Sequence, residues 1–241
     1  MNRPPEPARP SEPRQRWRVT FAREPVPPEA IGRAAHDAWQ SALVASRLPV
    51  VPQGDGDDRL RIAFAAPLPA AARGEREWAD IWLRDRIAAW ELRTALAPFL
   101  PDAHAWVDAE DVWLGAPALA GQVVAADWRI ELEPGGAVRA EALATAAASL
   151  VAARTIPRVR VKGGTEKAYD LRPLLADARI EAVGSTIAIL TRTRFHPELG
   201  AGRPEEVVAA VADAAATPVV ARTTTRIRLL LGSDVAPRRK R

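Results

Sequence analysis

The chain has no cysteine among its 241 residues. That excludes disulfides, thiolate metal sites and cysteine nucleophiles, and it excludes a thiolate-ligated iron–sulfur cluster held by this chain alone. Histidine is scarce: His36, His104 and His196 are all there is, and none pairs with another at the four-residue spacing of helical metal ligands. Each reads as an ordinary surface or partly buried side chain, so no metal site and no cofactor is expected. Lysine is confined to Lys162, Lys167 and Lys240, so the basic character is almost wholly arginine. No apolar run reaches the length of a membrane span, and the proline-rich start has no apolar segment of the kind a signal peptide needs. The expectation is a cytoplasmic protein with no membrane partner. No P-loop, dinucleotide fingerprint or nucleophile elbow occurs. Gly54-Asp55-Gly56-Asp57-Asp58 lacks the alternation and the closing glutamate of a calcium loop.

What is present is enough apolar sequence, 48% of the chain, to build a packed core. Residues 1–14 read as a disordered leader. Strands are expected over Arg16–Phe21, Arg59–Phe64, Trp78–Leu83 and Ala105–Leu114. Helices are expected after Pro27-Pro28 and around Ala88–Phe99, the second stopped by Pro101. The order βαββαβ is that of a ferredoxin-like unit. After Gly115–Gly121 the order recurs: strands at Val123–Leu132, Pro157–Lys162, Lys167–Leu171, Ile187–Phe195 and Val219–Leu231, with helices at Glu141–Ala153 and from Pro204. The fold class expected is α+β, with two ferredoxin-like halves over residues 15–118 and 119–232, antiparallel sheets covered on one face by helices, and a basic tail over 233–241.

Three of these strands carry cations in phase. Side chains alternate between faces along a strand, so Arg158, Arg160 and Lys162 share a face, as do Arg192 and Arg194, and as do Arg222, Arg226 and Arg228. Placed in one sheet, they make a cationic platform that would suit a polyanion, since arginine binds phosphate in planar, bidentate fashion. RNA is the polyanion to consider. Platforms that read single-stranded RNA stack its bases on exposed aromatics; Trp17, Phe21 and Phe64 fall on the apolar side instead. A solvated face paired to acidic side chains is the plainer alternative. Asp170 and Arg172 in Tyr169-Asp170-Leu171-Arg172-Pro173 read as a local ion pair or a ligand anchor. Arg203, before Pro204-Glu205-Glu206, stands at a helix start, where an anion would be welcome.

Several short segments, in order and at consistent spacing, resemble the radical-SAM-linked protein family, a bacterial domain of unknown function found beside or fused to radical SAM proteins. They are Arg16-Trp17-Arg18-Val19-Thr20-Phe21-Ala22-Arg23, Ile62-Ala63-Phe64-Ala65-Ala66-Pro67-Leu68-Pro69 with Gly74-Glu75-Arg76-Glu77, Leu96 to Pro101, Asp170-Leu171-Arg172-Pro173, and Gly202-Arg203-Pro204-Glu205-Glu206-Val207-Val208. The chain departs from that family's pattern twice. Pro27-Pro28-Glu29-Ala30-Ile31 stands where a Ser-His-Leu-Asp segment is usual, and Val51 to Asp58 where a Ser-x-Gly-Phe-Asn-Pro type of segment is usual. No catalytic residue is carried across. The resemblance implies a radical SAM protein as partner, and a non-catalytic accessory role in holding a substrate or macromolecule for it. RNA binding through the basic strands, and an RNA-modifying enzyme of pseudouridine-synthase-like architecture, are the alternatives.

Overall fold

The computed structural model describes residues 12–54, 56–133, 139–162 and 165–235, with the side chains of residues 161, 162 and 165 excepted. Residues 1–11 of the expected leader, Asp55, the turns at Pro134-Gly135-Gly136 and Gly163-Gly164, and the basic end at 238–241 lie outside the described residues. The chain is mixed α/β, and it divides into two compact units. One comprises residues 1–70 and 76–122, the other residues 71–75 and 123–241.

In the first unit the order is β1 (Gln15–Arg23), α1 (Arg33–Ser46), β2 (Ile62–Phe64), β3 (Arg73–Leu83), α2 (Ala89–Leu96), β4 (His104–Val112) and the short α3 (Leu119–Gln122). The sheet order is β4-β1-β3-β2, with β4 antiparallel to β1 and β2 antiparallel to β3. Trp17, Val19 and Phe21 point into a core with Trp39, Leu43, Ile81, Leu92 and Leu96. Each such side chain contributes about 1.5–3 kcal/mol on full burial. The helix expected straight after Pro27 is delayed. Pro28–Ala30 form a 3-10 turn, and Gly32, with φ 64°, reverses the backbone before α1 begins. Positive φ is open to glycine because it has no Cβ. β2 is shorter than the expected Arg59–Phe64, because Leu60 bridges back to Pro52 instead of extending the ladder. β3 is longer than expected: its first residues, Arg73 and Gly74, lie in the second unit and pair in parallel with Thr225 and Arg226.

The second unit runs β5 (Val123–Leu132), α4 (Ala140–Ala152), β6 (Pro157–Lys162), β7 (Thr165–Asp170), β8 (Leu175–Val183), β9 (Thr186–His196), β10 (Gly200–Ala201), α5 (Pro204–Ala214), β11 (Ala221–Leu231) and α6 (Gly232–Val235). β8 is a strand that the alternation did not reveal, because its alanine-rich sequence carries little β-propensity; its ladder to β9 supplies what propensity does not. The main strands run β8-β9-β5-β11, every neighbour antiparallel. α4 and α5 close one face over Ile130, Leu143, Leu171, Leu174, Ile189 and Val207. β6 and β7 form a separate two-stranded sheet. The three cationic strands therefore do not share a sheet: β6 pairs only with its hairpin partner, while β9 and β11 flank β5.

Candidate functional site

The basic positions whose side chains are described do not share one setting. On the open face of the second unit, the odd residues of β5 bring Asp127 and Glu131 between the arginines. Arg192 donates to Asp127 through two nitrogens, at 2.7 and 3.0 Å, and Arg228 reaches the same carboxylate at 2.8 Å. Arg222 donates to Glu131 at 2.6 Å. Arg129, which was not singled out in the sequence, bridges Glu131 and Glu181 at 3.5 and 2.5 Å. Arg194 turns to the backbone, donating to the carbonyls of Pro173 and Leu175. Away from that sheet, Arg158 is held by Asp213 and Glu206 of α5, and Arg160 lies over the Tyr169 ring at 5.5 Å. The side chain of Lys162 lies outside the described residues.

Arg226 is the largest departure from the expected phase. The ladder slips between Arg226 and Arg228, which pair with the adjacent residues Trp128 and Asp127. A β-bulge of this kind inserts one residue and reverses the facing of the residues beyond it. Arg226 is accordingly 1% exposed, its guanidinium 5.4 Å from the Trp128 ring, while Arg228 stays on the open face. The face is thus a lattice of opposite charges, with Asp127 and Glu131 set among the arginines, because antiparallel neighbours carry carboxylates into register with the guanidinium groups.

Burial works against the Asp127 carboxylate, but hydrogen bonds from Arg192 and Arg228 overcome it and hold its pKa below the usual range. A depressed carboxylate pKa adds stability above the unfolded value, about 3.9, and loses it as pH falls through the folded value. Asp127→Asn should lower the unfolding free energy of the second unit, read from urea titration at neutral pH, by about 1 kcal/mol or less. The gap from wild type should begin to narrow below about pH 4; a gap unchanged at pH 3 would show that the pairing carries none of it.

Asp170 and Arg172 also serve the fold. Asp170 accepts from the backbone N–H of Ile156 and of Arg172, at 2.7 and 2.9 Å. Arg172 donates to three carbonyls, of Val151, Ala153 and Leu175. Gly202 sits where a Cβ would stand 2.5 Å from the Leu174 carbonyl oxygen, so the backbone needs glycine there. Arg203 is exposed at the N-cap of α5.

The concave site is in the first unit. A cavity of about 660 Å³ opens between β1, α1 and β2. Its floor is aromatic: Phe21 and Trp39 lie 4.9 Å apart by ring centroids, and Phe64 meets Trp39 edge-on at 5.7 Å. His104 stands against both Phe21 and Trp39, at 5.3 and 5.8 Å. Beside Trp39, α1 turns the small residues Ala34, Ala35, Ala38 and Ser41 to the cavity, with His36 at its side, and those small residues are why space remains. Arg23 and Glu77 are the buried charged groups of the wall. Arg23 donates to the carbonyls of Leu68 and Pro69, at 3.3 and 2.5 Å, and so fastens the 67–70 connection against β1. His104 donates from Nδ1 to the Asp102 carbonyl at 2.9 Å, which leaves Nε2 as the acceptor of the neutral ring. Burial, outweighing that hydrogen bond, lowers its pKa from the ordinary imidazole value, so the ring is neutral at pH 7. A mostly apolar hollow of this size with a few convergent polar groups is the usual form of a small-molecule site. In the sequence, Phe21, Trp39 and Phe64 could not be told from core; the alanines at 34, 35 and 38, where a filled core would carry larger residues, were the available signal.

The first unit also buries an ion cluster. Asp80 is fully buried and accepts from both Arg16 and Arg18, which are themselves almost wholly buried. Among the described residues no helix is long and apolar enough to cross a membrane, and no cluster of three or more His, Asp or Glu is placed to hold a metal.

A family described as "Uncharacterized protein conserved in bacteria (DUF2344)" matches residues 57–202. No curated protein matches the chain. Among solved structures, a Cbf5-Nop10-Gar1 complex contains a chain that aligns over 88% of this one and 49% of its own length, with 9% identity and a TM-score of 0.45. This chain therefore spans about half of that one. An unknown protein from Galdieria sulphuraria aligns over 86% of this chain and 96% of its own, with 15% identity and a TM-score of 0.23. At these TM-scores neither likeness defines the fold.

Proposed function

The chain belongs to the uncharacterized bacterial family matched over residues 57–202, and from that premise we propose that it is a binding protein that holds a flat, largely apolar small molecule for a radical SAM protein. The observation that carries the reading is the aromatic-floored cavity of the first unit. Val26, Ala30 and Ile31 line it, and the last two come from the stretch where this chain lacks the polar Ser-His-Leu-Asp segment, which favours an apolar guest. The radical SAM partnership rests on the segments of resemblance. With no cysteine here, the cluster of such a pair sits on the other chain. Each unit is read as a ferredoxin-like half. In support, the second unit orders its strands β8-β9-β5-β11 with α4 and α5 as crossovers, and the first orders them β2-β3-β1-β4 with α1 and α2.

Ala38 is exposed on the cavity side of α1, so Ala38→Trp fills the hollow without touching the core. The neutral fluorescent probe N-phenyl-1-naphthylamine should bind the wild-type chain and bind this variant at least about tenfold more weakly; equal affinity overturns the cavity as the site. Protonating His104 puts a charge against an apolar guest, so probe binding should weaken as pH falls through its pKa, which burial sets below the ordinary imidazole value. That pH dependence should vanish in His104→Asn. Recovery of a radical SAM protein with the tagged chain from its host supports the partnership, and recovery of none overturns it. RNA binding across the second unit is not the reading adopted, because carboxylates and carbonyls already take the hydrogen bonds of Arg158, Arg192, Arg194, Arg222 and Arg228. A pseudouridine-synthase-like enzyme has only the order of elements behind it, and architecture alone does not carry an activity.

A further inference from the structure

β4 ends its sheet. β1 pairs with one side of it, and no described strand pairs with the other. It is 9 residues long and mostly exposed. Proteins usually blunt such an edge with a short strand, with lysine, or with a covering element. Here α2 runs beside the edge and leaves a groove of about 250 Å³, lined by Ala89, Trp90 and Arg93 of α2 and by Trp106, Val107 and Asp108 of β4. Trp90 is 68% exposed on the side of α2 away from its core residues Leu92 and Leu96. Trp106 packs partly on the core and partly into the groove. The strand is acidic: Asp108 and Glu110 are exposed, and no lysine or arginine lies within it.

We propose that this groove receives an extended, basic segment of another protein, which adds to β4 as a further strand. Main-chain hydrogen bonds to the open edge supply affinity, and alternate side chains supply specificity. One large apolar side chain of the segment fills the space against Trp90 and Trp106. Lysine or arginine on its other positions meets Asp108 and Glu110. Arg93 keeps a cation out of the apolar subsite, so basic and apolar residues must alternate in the partner. A second copy of this chain is a poor occupant, because two β4 edges would set carboxylates against carboxylates, and like charges opposed across strands destabilise the pair.

The probe is a capped octapeptide alternating lysine with valine, one valine replaced by phenylalanine, and its counterpart with glutamate in place of lysine. Calorimetry should show binding of the lysine peptide only, weakened by added salt. Amide hydrogen exchange should slow across residues 104–112. Trp90→Ala, and separately Asp108→Lys, should each weaken binding about tenfold. These side chains are exposed, so the variants keep the wild-type far-UV circular dichroism. Ala38→Trp should leave peptide binding unchanged, which separates this site from the cavity. Equal binding of the glutamate peptide, binding without protection of β4, or no binding at millimolar peptide overturns the proposal. Self-association that Trp90→Ala abolishes also overturns it, and would give the groove to a second copy.

Discussion

Asp80→Ala should destabilise the first unit by about 3–5 kcal/mol. Asp80 accepts from Arg16 Nε and Nη2, at 2.9 and 2.6 Å, and from Arg18 Nε at 2.9 Å. Arg16 spends its remaining donors on the Ala116 and Pro117 carbonyls, at 2.7 and 3.0 Å. Its guanidinium lies 4.9 Å from the Trp82 ring, and that of Arg18 lies 5.7 Å from the Trp78 ring. Arginine cannot shed its proton in a protein, so removing the carboxylate leaves two buried cations facing each other. A joint replacement, Arg16→Met with Arg18→Leu and Asp80→Leu, should recover most of the loss, because an apolar trio of similar volume needs no counter-charge. The comparison separates uncompensated charge from lost packing. Since the chain has two units, the measurement is urea-dependent hydrogen exchange of β1 and β3 rather than a single global transition. Equal loss in Asp80→Ala and in the triple variant would show that packing, not charge, dominates.

Arg172→Ala should cost about 3 kcal/mol in the second unit, from three hydrogen bonds to a charged donor at a half-buried site. Two of its acceptors, Val151 and Ala153, are carbonyls at the end of α4, which has no basic residue in its last turn. The last carbonyls of a helix lack intrahelical partners and carry the negative end of its dipole. Arg172 meets both needs from outside the helix, and its third bond, at 2.6 Å to Leu175, ties the helix end to the start of β8. Arg172→Lys should keep the charge but lose the planar fork, and recover only part of the stability. Faster exchange of the amides over 140–152 is the readout. If exchange there matches wild type while stability falls elsewhere, the capping role is wrong.

Much of this was within reach of sequence, and the limits are physical. Alternation located β1 and β11, proline placed the start of α5, and in-phase arginines were visible at 192 and 194. The meaning of those arginines was not visible. Asp127 lies 65 residues from Arg192, and nothing local says that β5 enters between β9 and β11. The bulge at Arg226 changes the facing of a side chain without leaving a mark in the alternation. The cavity was hidden for a related reason, since Phe21, Trp39 and Phe64 fill a core or line a hollow according to what the fold brings opposite them.

The residues alone settled what this chain cannot contain, namely thiolate chemistry, and they settled its run of alternating strands and helices, because backbone preference and periodicity are local. Whether a guanidinium faces water, a carboxylate or an indole depends on which distant strand becomes its neighbour, and that is decided only when the sheets assemble. The open face of the second unit, the buried Asp80 cluster and the hollow of the first unit all belong to that later decision.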